Sequence, residues 1–212
     1  MISTAEDYLH HLENELINNP DTLSTDVTTE TIGHQVGFSG SCDLSPLLPH
    51  GYSDQIIKAL CAAILKMPIG PTIVTNLDYY QKKFGTWFDG PVIQDYVADI
   101  VPAIYDAVVS LNQDPTSRRA VIRMTGTKCA TSYQFLLREV EGQDLLMCVG
   151  NFRSVDAWRG LPADLVMMQA MTKFVCDKVV PGAKLGYIIN ASSFHIYNDA
   201  VDEVSDLLVS LP

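Results

Sequence analysis

No stretch of this chain stays apolar for the roughly 18 positions that a membrane-crossing helix needs. Lys58, Lys66, Asp95 and Asp99 interrupt the longest candidates. The acidic start, Met1 to Asp7, lacks the basic and apolar regions of a secretory leader, so the expected location is the cytoplasm. Basic residues are scarce: 14 Lys and Arg stand against 25 Asp and Glu, a formal charge of −11. That balance excludes a broad polyanion-binding surface, because nucleic-acid binding draws on clustered cations to displace counterions. Paired cysteines are missing too. Cys42, Cys61, Cys129, Cys148 and Cys176 form no CxxC and no Cys/His spacing suited to zinc, which fits reduced, mostly buried thiols and no metal. Repeats, low-complexity tracts and linkers are likewise absent, and 212 residues suffice for one domain, 1–212, with a sizeable core.

What is present has clear periodicity. Tyr8, Leu12 and Leu16 predict a helix over Ala5 to Ile17, ended by Asn18-Asn19-Pro20. Thr28 to Phe38 reads as a strand, Ser53 to Met67 as a helix, and Tyr96 to Leu111 as another helix. From Arg118 the period becomes two: Ala120-Ile122-Met124, Tyr133-Phe135-Leu137 and Leu145-Met147-Val149, with Glu141-Gly142 as a turn. A long helix over Leu161 to Val179, a strand over Lys184 to Asn190 and a last helix through Ala200 to Leu208 follow. Sequential strands without a βαβ rhythm favour an α+β fold with a mixed sheet packed by helices.

The few cations sit in suggestive places. Asp114-Pro115-Thr116-Ser117-Arg118-Arg119 puts two guanidinium groups after a turn. Adjacent side chains of an extended segment face opposite ways, so one arginine points to the core unless it meets an anion; a structural ion pair is the alternative. In Asn151-Phe152-Arg153-Ser154-Val155-Asp156, Arg153 offers a planar fork for phosphate and Ser154 a hydroxyl. A plain ion pair between Arg153 and Asp156 would also account for the segment. Cys129 follows Lys128, and a nearby cation favours the thiolate that attacks carbon, although a lone cysteine near a strand is often only a small buried residue. His195 and Tyr197 share a face if extended; they could bind a sugar hydroxyl or simply close a strand.

Their order along the chain is more telling than any one of them. Asp-Pro-x-Ser-Arg-Arg, then Cys129 followed five residues later by Gln134-Phe135, then Arg153-Ser154-x-Asp156-x-x-x-Gly160-Leu161-Pro162, then His195-Ile196-Tyr197 resembles the signature of the thymidylate synthase family. Gly33-His34-Gln35 before Phe38 is similar to that family's first strand, and Phe84-Gly85 stands where its Tyr-Gly does. The resemblance spans roughly Tyr8 to Val204.

The resemblance implies a homodimer packed sheet against sheet that acts on a pyrimidine nucleoside monophosphate. Cys129 would add to C6 of the pyrimidine and make C5 nucleophilic towards a one-carbon donor. Arg153 and Ser154 would hold the 5′-phosphate, with Arg118 and Arg119 reaching it from the other subunit. Gln134 would support the nucleotide site, the Asp156 backbone would meet the pyrimidine, and His195 and Tyr197 would bind the ribose 3′-hydroxyl. Asp164 stands where thymidylate synthases carry Asn. Asn donates to O4 and accepts from N3–H of uracil, whereas a carboxyl group accepts from the amino group of cytosine and, when protonated, serves N3. Asp at this place is similar to the deoxycytidylate hydroxymethylases, which transfer a one-carbon unit from 5,10-methylenetetrahydrofolate and finish with water. A helix-capping role is the alternative for Asp164.

Several positions depart from the family pattern. Ala130 replaces a His, Phe84 a Tyr, and Ala59 a Glu that organises proton transfer. Thr22 to Thr29 contains no Arg for the phosphate, the segment after Asn76 lacks the tryptophans that flank folate, and Pro212 comes without the family's long closing tail. The nucleotide end of the site is retained, and the folate end departs, leaving the donor as methylenetetrahydrofolate or a related pterin.

Overall fold

The computed structural model describes residues 1–44, 47 and 90–210. The helix expected over Ser53 to Met67, with Ala59 and Phe84, lies outside them.

Helix α1 (Ala5–Leu12) starts with a reciprocal cap: Thr4 Oγ1 accepts from the Asp7 amide at 3.0 Å, and Asp7 Oδ2 accepts from the Thr4 amide at 3.1 Å, satisfying two otherwise orphaned donors. The helix does not run regularly to Ile17 as its periodicity predicts. Glu13–Ile17 widens into a π-turn, closed by Asn18 N–H donating to the Glu13 carbonyl at 2.8 Å. The Glu15 carbonyl leaves the helical ladder to accept from Thr31 Oγ1 at 2.9 Å, a tertiary bond that a local spacing rule does not see.

Strands β1 (Leu23–Ser24), β2 (Thr28–Ser39), β3 (Val121–Arg123), β4 (Ala130–Val140), β5 (Gln143–Phe152), β6 (Val155–Asp156) and β7 (Lys184–Tyr197) form one sheet in the order β1-β2-β7-β5-β4-β3, with β6 paired to β7. All ladders are antiparallel except β5–β7 and β6–β7, so the sheet is mixed. Helix α2 (Gly90–Gln113) precedes β3, α3 (Leu161–Val179) makes the crossover that a parallel β5–β7 pair demands, and α4 (Asn198–Ser210) ends the described chain. The architecture is α+β, as the strand pattern implies.

The β4–β5 hairpin turns on Glu141 and Gly142, both with positive φ (53° and 74°), the conformation that matches the twist of two-residue hairpins. Along β4 and β5 the residues Tyr133, Phe135, Leu137, Leu146, Cys148 and Phe152 are buried, while their alternates are half-buried. The buried face meets α3 closely. A Cβ on Gly150 would lie 2.7 Å from the Phe152 ring and 3.1 Å from Met168 Sδ, so only glycine admits the helix here.

The opposite face carries Met147, Val149, Leu136 and Ile188, half-buried, and one polar row. Gln35 Nε2 donates to Asn190 Oδ1 (2.6 Å), Asn190 Nδ2 to Asn151 Oδ1 (3.0 Å), and Asn151 Nδ2 to Ser132 Oγ (3.0 Å). These residues stand opposite one another on β2, β7, β5 and β4. The row explains why β7 continues to Tyr197 when a strand end is expected at Asn190: the amide is a cross-strand partner there, not a terminator.

Candidate active site

The end of β5, the short β6 and the far half of β7 converge on the loop before β4. Arg153 bridges them. Its backbone N–H donates to the Cys129 carbonyl at 2.9 Å, Nε donates to the Lys128 carbonyl at 3.2 Å, and Nη2 donates to the Thr127 carbonyl at 3.0 Å. Nη2 also lies 3.9 Å from Cys129 Sγ. Among the described residues the Arg153 guanidinium bonds to Thr127, Lys128 and Cys129 and not to Asp156, so the loop ion pair that the sequence allows is not what orders this segment.

Lys128 plays a different part from the one its sequence position suggests. Its Nζ is 2.8 Å from Asp99 Oδ2 and 2.9 Å from the Thr125 carbonyl, where the turn over Gly126 and Thr127 carries it. The cation that faces the thiol is Arg153. Cys129 is an exposed residue, yet desolvation raises its thiol pKa above the ordinary value; Arg153 opposes that rise, and Asp164 and Asp156 reinforce it. The free protein therefore holds Cys129 chiefly as a thiol at neutral pH. Cys42, Cys148 and Cys176 are buried.

Asp156 sits in β6, directly opposite His195 of β7. Its Oδ1 accepts from the amides of Trp158 (3.1 Å) and Arg159 (3.0 Å), an Asx-type turn that starts the run into α3. Its Oδ2 is buried and finds no hydrogen-bond partner among the described residues. Burial raises the Asp156 pKa against those two amide donors. One turn into α3, the Asp164 amide donates to the Gly160 carbonyl at 3.1 Å, and the Gly160 amide to the Asp156 carbonyl at 3.1 Å. The Asp164 residue keeps some surface, but its carboxyl is desolvated, and burial followed by repulsion from Asp156 lifts its pKa to about 7.

The ribose-side candidates close the group. Ser154 Oγ lies 3.5 Å from His195 Nδ1, as does Ser193 Oγ, which donates to Glu30 Oε2 at 2.5 Å. The His195 and Tyr197 rings meet edge to face at 5.4 Å, and the Arg159 guanidinium sits 5.8 Å from the Tyr197 ring centre while pairing with Asp199 at 3.0 Å. Tyr8 donates a short hydrogen bond to the Ala157 carbonyl, tying α1 to the same loop. Glu30, Ser193 and Arg159 carry no local motif; the β2–β7 register, which puts Glu30 opposite His195, reveals the first two, and the contacts with Tyr197 and Asp199 reveal Arg159.

Arg118, Arg119 and Gln134 stand apart from this group. Gln134 Nε2 donates to the Arg118 carbonyl at 2.8 Å, which fixes the backbone ahead of β3. Both arginine side chains are exposed and neither turns into the core, because the segment is a loop and not a strand. They line an open cavity of about 770 Å³ with Ser110, Asp114 and Ser117.

The sequence matches the family profile described as Thymidylate synthase over residues 78–211, more than half of the chain; Cys129, Arg153, Asp156, Asp164 and His195 fall within that span, and Glu30 does not. The chain belongs to the thymidylate synthase family. No curated protein matches it. As a thymidylate synthase family member it has the α+β domain and mixed sheet of that family, whose chemistry is one-carbon transfer to a pyrimidine nucleotide, typically from a folate donor and typically in a dimer. Among the described residues no helix is long and apolar enough to cross a membrane.

Proposed function

We propose that this chain is a pyrimidine nucleotide 5-hydroxymethyltransferase acting on dCMP or CMP. The carrying observation is Asp164, placed at the start of α3 with its carboxyl desolvated and its pKa near 7, within the electrostatic reach of Cys129. A carboxyl that keeps its proton offers an acceptor to the N4 amino group of cytosine and a donor to N3. Cys129 Sγ adds to C6 and makes C5 nucleophilic. C5 would then take the donor's methylene carbon and lose its proton, tetrahydrofolate would depart, water would add to that carbon, and the Cys129 thiolate would leave C6 to free the hydroxymethyl product. Arg153 and Ser154 hold the 5′-phosphate, and His195 and Tyr197 the 3′-hydroxyl. The unpartnered Asp156 Oδ2 fits a ring N–H or amino donor, as a reduced pterin carries; methylenetetrahydrofolate supplies the carbon when bound.

Thymidylate synthesis from dUMP is the second reading. It is favoured by the same protonated Asp164, which can donate to O4 and accept from N3–H. Incubation with labelled dCMP, CMP and dUMP plus methylenetetrahydrofolate separates the two: a hydroxymethylated cytidylate is expected. Turnover of dUMP alone, with oxidation of the donor to the dihydro form, would overturn the cytosine assignment. Product from none of the three, with C5-hydrogen exchange also absent, would leave a nucleotide-binding homologue.

The exposed Arg118 and Arg119 are assigned to the phosphate of a second copy, across the half-buried outer sheet face. If so, a Cys129→Ser protein and an Arg118→Ala/Arg119→Ala protein, each nearly inactive, regain about a quarter of wild-type activity when mixed as random dimers. No recovery on mixing, despite subunit exchange, refutes the shared site.

A further inference from the structure

One ion pair near the nucleophile is left unused by that reading, and it holds more bonds than its position requires. Asp99, on α2, is 12% exposed in its side chain, as is Lys128. Its Oδ2 accepts from the Thr125 amide at 2.7 Å and from Lys128 Nζ at 2.8 Å, and its Oδ1 accepts from Thr125 Oγ1 at 2.9 Å. Between them Gly126 adopts φ +73°, a left-handed turn that brings Lys128 back over the helix. The loop 125–128 is thereby pinned on one side by a single carboxylate. On its other side the carbonyls of Thr127 and Lys128 are the acceptors that fix the Arg153 guanidinium, with Nη2 3.9 Å from Cys129 Sγ.

We infer that Asp99 is a positioning residue for the nucleophile: by anchoring the 125–128 loop it holds the two carbonyls that aim Arg153 at the Cys129 thiol, and it keeps the Lys128 ammonium away from that thiol. Asp99 touches neither thiol nor substrate; it acts through the loop and Arg153. The inference rests on Cys129 being the reactive thiol, and its test needs no nucleotide.

The rate of iodoacetamide modification of Cys129 is followed by peptide mass spectrometry on the full chain from pH 6 to 10. In the wild type the rate follows the thiolate fraction. Asp99→Asn is expected to slow modification at pH 8 about three- to tenfold and to move its pH midpoint upward, because Arg153 loses its aim. Arg153→Ala does the same, and the double variant is no slower than Arg153→Ala alone, since both act through one guanidinium. Thr125→Val removes one donor to Asp99 without touching a charge, and gives a smaller shift of the same sign even if Asp99→Asn does not fold. An unchanged profile in both Asp99→Asn and Thr125→Val overturns the inference. So does faster modification, which would mean that the released Lys128 governs the thiol, or a double variant whose losses multiply. Failure of dCMP to turn over would instead strike the substrate assignment and leave these outcomes unaffected.

Discussion

Cys129→Ser is expected to lower C5 chemistry by about four orders of magnitude or more while leaving nucleotide affinity within a few-fold. Serine preserves size and a hydrogen-bonding group, and leaves Arg153 on the carbonyls of Thr127 and Lys128. What it removes is a sulfur far more acidic and more nucleophilic than a hydroxyl. On the proposed reading phosphate and ribose contacts come from other residues, so the loss falls on the bond to C6 and not on binding. Release of tritium from C5 of a bound nucleotide measures this step without any one-carbon donor. Desolvation, ahead of the opposing Arg153, raises the thiol pKa above its ordinary value; the thiolate fraction of the free protein then grows about tenfold per pH unit through neutrality, and the exchange rate should grow with it. A Cys129→Ser protein that still exchanges tritium at a wild-type rate would falsify the covalent assignment.

The second large effect concerns the base. Asp164→Asn should shift preference from cytidylate towards dUMP by about 10- to 100-fold, the range that a bidentate base contact of about 1–3 kcal/mol supplies. The wild-type carboxyl titrates near 7 because burial, then Asp156, disfavours its charge. The sign follows directly. Below that pH the proton is present and the group is both donor and acceptor; above it the carboxylate only accepts and faces the lone pair of cytosine N3. Nucleotide affinity of the wild type should thus weaken as pH rises from 6 to 9, whereas Asp164→Asn, which has nothing to ionise there, stays flat. Calorimetric titration with dCMP and dUMP at several pH values reads both effects. Equal pH profiles in the two proteins would remove Asp164 from the base site.

Much of this arrangement can be read from the chain because its strands have one buried face. The alternation through Tyr133, Phe135 and Leu137 marks β4, and Gly160-Leu161-Pro162 with Pro181-Gly182 brackets α3 at the expected Leu161 and Val179. In β5 the period of two holds but the expected face is reversed: Leu145, Met147 and Val149 are half-buried, and Leu146, Cys148 and Phe152 fill the core, because both faces of this strand are apolar and α3 covers only one. Local pattern failed where a distant group decides. The π-turn at Glu13–Ile17 depends on Thr31, and the full length of β7 depends on Gln35 and Asn151 meeting Asn190. At the candidate site, the ordered motifs single out Cys129, Arg153 and Asp164, and adjacency in sequence is a poor guide to contact. Lys128 is next to Cys129 in sequence and bonded to Asp99, while Arg153, far along the chain, is the thiol's neighbour.

The strand order also sets a timetable for synthesis. On a ribosome, β3, β4 and β5 emerge as a contiguous meander and can pair as they appear, since each meets its sequence neighbour. Strand β2, made long before, pairs early only with the two residues of β1, and its long ladder forms with β7, Thr28 opposite Tyr197 and Ser39 opposite Gly186. Until β7 arrives, a long edge of β2 and the parallel edge of β5 both wait unpaired. The strand that closes this gap also delivers His195 and Tyr197. A nascent chain stalled before β7 would thus carry Cys129 and Arg153 but neither His195 nor Tyr197, and would expose two adhesive edges to chaperones.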